Sequence, residues 1–495
     1  MKKKYGIGIL ILVMLTSLLA GCKKSGNDEH TASSEEPYLV TMVVMGSQQN
    51  DEKKVEAEIN ALLKEELNTA LDLVVLPWGS ALQQMQLMLS GDEKIDVFVT
   101  GGSTAINQMK SGQIIDLSGL IDAYGHNLKA LFGEDVLNTI SIDGFTYGVP
   151  LQFERGSVPA AYLRKDLVEK YAIDVSQIKE PKDLEKVFEI VKAGEPDMTM
   201  LFSSATNDSP IDRLNTADLL GDGNGVLMDP TTSTEVVNYY GTEEYFNKAN
   251  MLFDWYEKGY INLDAATVNE NWRSMIKAGN VFSLFYIYHP ATLIEIESST
   301  SYEFEVVKFQ DKPTINSGAY QTFVYSIAQN SENPEKAMQT LDYIYQSKEI
   351  MNLLNWGIEG EHYVYKDKEK DIIGFPEGVT LEDVGYHMNL GWEFPNQFIA
   401  HIWEGSDPEQ WKNMEQWNKT DKKSLAVGFT FDNTGLETQI ATVKNVIDQY
   451  RGAIASGSVN PEEYIPPFIE ELEKAGIQDL IEEKQKQLDQ WLQSK

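Results

Sequence analysis

The chain has 495 residues, with 41 Lys and Arg against 76 Asp and Glu, a net charge of −35. A surface of that sign repels phosphate backbones and argues against nucleic acid as a partner, while 42% hydrophobic and 10% aromatic residues are too many for a disordered chain. The length allows two or three domains, and a single cysteine supplies no disulfide framework, so the core must be large enough to hold itself together.

Lys2, Lys3 and Lys4 precede an uncharged run from Gly6 to Leu19, followed by the small residues Ala20 and Gly21. A basic start, an apolar stretch shorter than the ~20 residues of a bilayer span and small residues at the cut describe a secretory signal peptide, residues 1–21. Leu19-Ala20-Gly21-Cys22 resembles the lipobox of bacterial lipoproteins, where the cysteine is lipidated and heads the mature chain. Cys22 is thus the expected anchor, and cleavage discards three lysines, moving the net charge from −35 to −38. Residues 22–37 read as a polar tether with a root-mean-square span of roughly 20 Å. No second long apolar run follows, which places the body outside the membrane.

From Tyr38 strands and helices alternate. Thr41–Met45 is a strand ending at Gly46; Val55, Ile59, Leu62, Leu63 and Leu67 recur at helical spacing behind an Asn50-Asp51 cap. Leu71–Leu76 is a second strand stopped by Pro77, Gly79–Leu89 a helix, and Ile95–Val99 a third strand closing on Thr100-Gly101-Gly102-Ser103. Such near-continuous apolar strands predict a parallel α/β sheet covered on both faces, with ligand at the carboxyl ends of the strands: Gly46 to Gln48, Trp78 and Thr100 to Ser103. Asp143-Gly144 predicts a hairpin, and Tyr147 to Leu151 leads out of this unit. The second unit contains Leu163–Tyr171, a helix at Lys182–Lys192, a helix at Glu243–Lys258 and strands at Val281–Tyr288 and Phe304–Phe309. A strand at Tyr320–Ile327 and a helix opened by Asn333-Pro334-Glu335 follow. From Trp356 to Asn418 the chain is irregular and Trp-rich. Helices come at Ile440–Tyr450, Pro461–Lys474 and Ile477–Leu492, the last as a solvent-facing cover; Trp255 and Trp491 are assigned to packing.

Catalytic patterns are missing. There is no Gly-x-Ser-x-Gly elbow, and the six histidines (His30, His126, His289, His362, His387, His401) include no His-Glu-x-x-His. Asp222-Gly223-Asn224-Gly225 begins like a calcium loop, but Ser233 stands where a closing Glu belongs, so a Gly-rich turn is expected. Paired carboxylates of a glycosidase stay open as a possibility, because 76 acids make any pairing in sequence uninformative.

Several stretches resemble the extracellular solute-binding proteins of bacterial ABC importers: the lipobox, Tyr147-Gly148-Val149-Pro150, Ala161 to Leu167 (AYLRKDL), Trp255 to Ile261 (WYEKGYI) and Asn333 to Met338 (NPEKAM). Asn355 to Gly360 (NWGIEG) and the tail from Gly428-Phe429 to Asp489 resemble a large carbohydrate-type branch from Gram-positive bacteria with a C-terminal extension. Where that branch commonly shows Trp-x-Phe-Gly-Asn-Gln, this chain has Trp392-Glu393-Phe394-Pro395-Asn396-Gln397, and proline removes a backbone donor. The resemblance implies a two-lobe α/β clamp of the periplasmic-binding-protein kind (class II), with lobe 1 at 38–150 and 318–350, lobe 2 at 151–317, a mixed Trp-rich segment at 351–430 completing cleft and lobes, and a helical extension at 431–495. Crossings are implied near Gly148 to Gln152, near Ser317 to Thr322 and in the Trp-rich region.

The implied function is a monomeric, lipid-anchored receptor on the outer face of the cell membrane. It would capture an oligosaccharide in the cleft and pass it to membrane permease subunits, without cofactor, metal or catalysis. Sugar sites combine flat rings with a few fixed polar groups. The stacking candidates are Trp78, Trp272, Tyr286, Trp356 and Trp392; the hydroxyl partners are Gln48, Ser103, Gln152, Glu154, His289 and Glu393. For Tyr286 core packing competes with ligand contact, for Trp356 packing between lobes, and for His289 a satisfied loop position. A receptor for peptide or another polar solute, and a surface carbohydrate-active enzyme, are the rival readings.

Overall fold

The computed structural model describes residues 36–91, 93–205, 209–268 and 271–495. The signal peptide, Cys22, His30 and all but the end of the tether lie outside the described residues. The first sheet has the order Thr69–Pro77, Tyr38–Gly46, Val97–Thr100, Val324–Ile327, Val149–Pro150. Its first three strands are parallel, and Val324–Ile327 enters antiparallel to both neighbours. Side chains alternate across a strand, so Val40, Met42 and Val44 meet the helices Glu52–Leu67 and Pro334–Ile344, while Val43 and Phe98 meet Ala81–Ser90. That double cover explains the continuous apolar runs. Asn333 caps its helix by accepting from the Lys336 amide at 3.1 Å, with Pro334 in the first turn. The hairpin forms between Ser141–Ile142 and Phe145–Thr146, with Asp143 and Gly144 at φ 51° and 83°.

The second sheet runs Phe304–Lys308, Val158–Arg164, Val281–Tyr288, Thr199–Leu201. Every residue of Val158–Arg164 is buried. One face supplies Ala161, Leu163 and Phe285 to the largest core, where Trp255 is fully buried with its ring 5.1 Å from Phe188. The helices Glu437–Ala455, Pro461–Lys474 and Ile477–Gln493 join the same core through Val443, Phe468, Leu480 and Leu488. The last helix is therefore more than an outer cover. It buries Lys484 completely, and the ammonium lies 2.5 Å from Asp222 Oδ1 and 3.2 Å from the Gly225 carbonyl oxygen.

The Trp-rich segment has structure that its sequence hides: strands Val364–Asp367, Ile372–Gly374 and Ile402–Trp403 form a small sheet, followed by the helix Gln410–Asn418. Three connecting stretches run side by side between the lobes. The Gln152 amide donates to the Pro395 carbonyl at 2.9 Å, that of Ile315 to Lys422 at 2.9 Å, and that of Gly428 to Ser317 at 3.0 Å. Buried Arg155 donates to the carbonyls of Ala319, at 2.7 Å, and of Leu151, and its own amide donates to Asn418 Oδ1 at 2.7 Å. The expected strand at Tyr320–Ile327 is shorter than its apolar pattern suggests, because Gln321 and Thr322 turn back onto the Gly318 carbonyl. Gln321 instead donates to the carbonyls of Thr139 at 2.6 Å and Gly428 at 3.0 Å. No helix among the described residues is long and apolar enough to cross a membrane.

Candidate functional site

The carboxyl edge of the first sheet is overlaid by residues 385–397. The Asp51 amide donates to the Gly385 carbonyl at 3.0 Å, the His387 amide to Gln49 Oε1 at 2.8 Å and the Met45 amide to Glu393 Oε1 at 2.6 Å. Gly46 permits this approach, since a Cβ there would stand 3.1 Å from Leu390 and 3.2 Å from Met388. The overlay brings Trp392 against Trp78, their rings stacked at 5.9 Å and 23°. Phe323 continues the row 5.3 Å from Trp392, and Phe153 lies 6.2 Å from Phe323. Pro77 ends the strand before Trp78, leaving that indole 48% exposed. An indole so exposed beside a second ring is a platform that a flat apolar face can cover.

Two carboxyl groups have oxygens buried without a partner, Glu393 Oε2 at this edge and Glu154 Oε2 beside Arg155. Burial pushes each carboxyl up to about 7; a charge on Glu295 adds to the rise at Glu154 and Arg155 opposes it. An unmet buried acceptor costs about 1–3 kcal/mol, which a ligand hydroxyl could relieve. In the second lobe, Val281–Tyr288 ends at His289, 8% exposed. Its amide donates to Thr292 Oγ1 at 3.0 Å, Nδ1 is unpartnered, and burial drives its pKa down to about 4, so the imidazole is neutral at pH 7. Tyr288 meets Trp417 at 5.7 Å, and the Trp417 indole donates to the Gly156 carbonyl at 3.0 Å.

The sequence candidates thus fall into groups. Trp78, Trp392 and Glu393 come together at the first lobe's edge. Gln48 is exposed beyond its strand, and Gln152 pairs by its backbone with Pro395 and Gln397. Ser103 lines a cavity of about 320 Å³ with Leu220, Asp222, Gln321 and Phe431. Trp272 is only 2% exposed and belongs to a satellite core of the second lobe, and the partly buried Tyr286 packs against it at 5.2 Å; the Arg213 guanidinium covers Tyr286 at 4.4 Å. Trp356 is 5% exposed and sits apart, among the rings of His387 and Trp403. Sequence reasoning misses Phe153, Phe323, Tyr288 and Trp417. The first three adjoin strand ends, the signal that selects Trp78. Pro395 has no amide to donate, and its carbonyl serves as acceptor for Gln152.

Two clusters have the chemistry of cation sites. In the first, His362 Nδ1 accepts from the Ile358 amide at 2.9 Å, so Nε2 carries the proton and donates to Asp51 Oδ2 at 3.1 Å, while Glu361 pairs with Lys54. Asp51 therefore spends its carboxylate on His362 and makes no side-chain cap on its own helix. In the second, the Lys484 ammonium fills the Asp222–Gly225 turn.

Residues 46–351 match the bacterial extracellular solute-binding protein family, and residues 425–493 match a domain of unknown function, DUF3502. A carbohydrate ABC transporter substrate-binding protein of Streptococcus pneumoniae serotype 4 is 27% identical over 503 aligned positions, covering 100% of this chain and 99% of that one. A polygalacturonan/rhamnogalacturonan-binding protein of Bacillus subtilis, YtcQ, is 23% identical across 73% of this chain and 75% of its own. Among solved structures, the N-glycan transport solute-binding protein NgtS of S. pneumoniae superposes with a TM-score of 0.78 at 24% identity, over 92% of this chain and 99% of that one. The same protein in complex with Man5GlcNAc gives 0.68.

Proposed function

The chain belongs to the bacterial extracellular solute-binding proteins, and from that premise we propose that it receives an oligosaccharide between its lobes and delivers it to the membrane subunits of an ABC importer. The observation that carries this reading is the stacked pair Trp78–Trp392, half open to solvent at the carboxyl edge of the first sheet. A sugar's C–H face laid on Trp78 would bury apolar area for about 2 kcal/mol. Glu154 and Glu393 offer oxygens to hydroxyls, and closure would bring His289, with its unpartnered Nδ1, over the other side. Ligand drives closure only by the margin with which it prefers the closed arrangement. The likeness to a carbohydrate transporter component and the glycan complexes of NgtS support a sugar as solute.

The match to a family of solute-binding proteins and to a transporter's substrate-binding protein supports binding over hydrolysis. Lipidation at Cys22 would hold this monomeric receptor at the outer face of the membrane, durably so with a second acyl chain. The test is a thermal melt of residues 23–495 against oligosaccharides and peptides, with each hit analysed for cleavage. A ligand at 100 times its Kd adds about 2.7 kcal/mol. Stabilisation with intact sugar recovered supports the receptor; fragments would replace it with an enzyme, and shifts with peptides alone would remove the sugar.

A further inference from the structure

The segment 425–493, matched to a domain of unknown function, meets both lobes at one cavity of about 320 Å³. One side of it is Ser103, just past the strand Val97–Thr100 of the first lobe. The second side is the turn at 220–222 from the second lobe, and the third is the stretch 429–433 of the C-terminal segment. Phe429 and Phe431 supply apolar surface, and Ser103 and Asn433 polar groups. That mixture suits a sugar, and a volume near the ~300 Å³ lower end of ligand pockets takes one ring rather than a chain.

Neither the turn nor the stretch holds its shape by itself. Leu220 stands at φ 48° and Gly221 at φ 96°, and the left-handed conformation strains a side chain as bulky as leucine. Residues 429–433 belong to no helix or strand. Both are gripped by the last helix, Ile477–Gln493, through two residues three apart on one face. Lys484 donates to Asp222 at 2.5 Å and to the Gly225 carbonyl at 3.2 Å, with its ammonium 4.9 Å from the Phe431 ring. Gln487 accepts from the Asp432 amide at 2.9 Å and donates to the Asp432 carbonyl at 3.0 Å. The Asp432 carboxylate in turn pairs with Lys110, at the far end of the helix that Gly102 and Ser103 open. The same helix serves the core of the second lobe through Leu480 and Leu488, which need neither of these polar grips.

We infer that the C-terminal segment sets ligand specificity: Lys484 and Gln487 are positioning residues that shape the cavity and so decide which terminal sugar fits beside Ser103. This rests on the oligosaccharide reading and moves part of the recognition outside residues 46–351, the solute-binding match. The test measures Kd by titration calorimetry for a set of wild-type-binding oligosaccharides that differ in their terminal sugar, together with urea unfolding. The variants are Gln487→Ala, Ser103→Ala, the two combined, and Lys484→Met. Gln487→Ala is expected to weaken the best binder about fivefold and to change the order of preference, with the urea midpoint almost unmoved. Ser103→Ala weakens the same glycan, and the double variant loses at least about threefold less than the product of the single losses, because both act on one cavity. Lys484→Met changes the order further; if it fails to fold, Gln487→Ala, at a partly exposed position, carries the test. An unchanged order, an equal loss for every glycan or single losses that simply multiply overturn the inference. A lower urea midpoint with affinities intact overturns it too, leaving the helix to packing alone. Failure of the wild type to bind any oligosaccharide would instead sink the receptor reading itself.

Discussion

In the first lobe the strand Thr69–Pro77 delivers Trp78 into open space, where it meets Trp392 and solvent. In the second, Val281–Tyr288 delivers Tyr286 beneath Trp272 and the Arg213 guanidinium, and the same kind of ring is partly covered by packing. Both are candidates for the same reason, an aromatic near a strand end or a helix start. The difference lies in what covers them. Trp272 opens a helix, capped by Asn271, that folds back on its sheet; Trp78 precedes a helix whose buried face, Ala81, Met85 and Leu89, turns inward without it. In the proposed reading the exposed ring at the sheet edge recognises ligand, while the covered one serves the packing of its lobe.

That contrast can be broken by substitution. Trp272→Ala should destabilise the protein by about 3–5 kcal/mol, read as a lower urea midpoint, and leave glycan affinity intact in whatever remains folded. A loss of affinity with unchanged stability would reverse the assignment. Trp78→Ala should do the opposite, weakening oligosaccharide binding by about 2 kcal/mol, roughly thirtyfold, with almost no change in melting temperature.

Glu393→Gln sharpens the comparison through pH. The folded-state pKa is raised to about 7, so the wild type keeps its proton at pH 5 and must bury a charge at pH 8. The stability that the proton confers is present at low pH and is lost as pH rises through 7. The amide variant should therefore gain in melting temperature over the wild type at pH 8 and match it at pH 5; the reverse order would show that Oε2 has an ionic partner. His289 and His387, both lowered to about 4, lose stability as pH falls below 6.5, so the difference between variant and wild type is the quantity to read. The smallest effect belongs to Lys110, which reaches from the first lobe to Asp432 and Thr434. Lys110→Ala should cost under about 1 kcal/mol, and less in high salt, as measured by urea unfolding at two ionic strengths.

Much of the architecture is legible in the amino-acid sequence. Continuous apolar strands, the Asp143-Gly144 turn and the Asn333-Pro334 cap are local signals, and local physics decides them. The apolar pattern overstates the Tyr320–Ile327 strand because Gln321 answers to Thr139 and Gly428, partners more than a hundred residues away. The small sheet at 364–403 is invisible in sequence for a similar reason: strands of two to four residues leave no period to read. In the site, strand ends locate Trp78, whereas its partnership with Trp392 depends on an overlay fixed by Glu393 and the Met45 amide. Sequence names the two residues but cannot stack them. Nor can it tell Lys484 from Lys486 on the same helix, since what pairs with the buried ammonium is Asp222, 262 residues away.

The sharing of one core by the second lobe and the C-terminal helices has a consequence for how the protein is made. Phe468, Leu480 and Leu488 complete a hydrophobic interior begun by Ala161 and Leu163, so the segment matched as a separate domain is a wall of the lobe itself. Those side chains are made about 300 residues or more after the first ones. A nascent chain lacks them until that intervening stretch has been synthesised, and the second lobe stays unfinished for that time. A lobe that only such distant helices can close leaves its first strands uncovered, and the chain pliable, until those helices have been made.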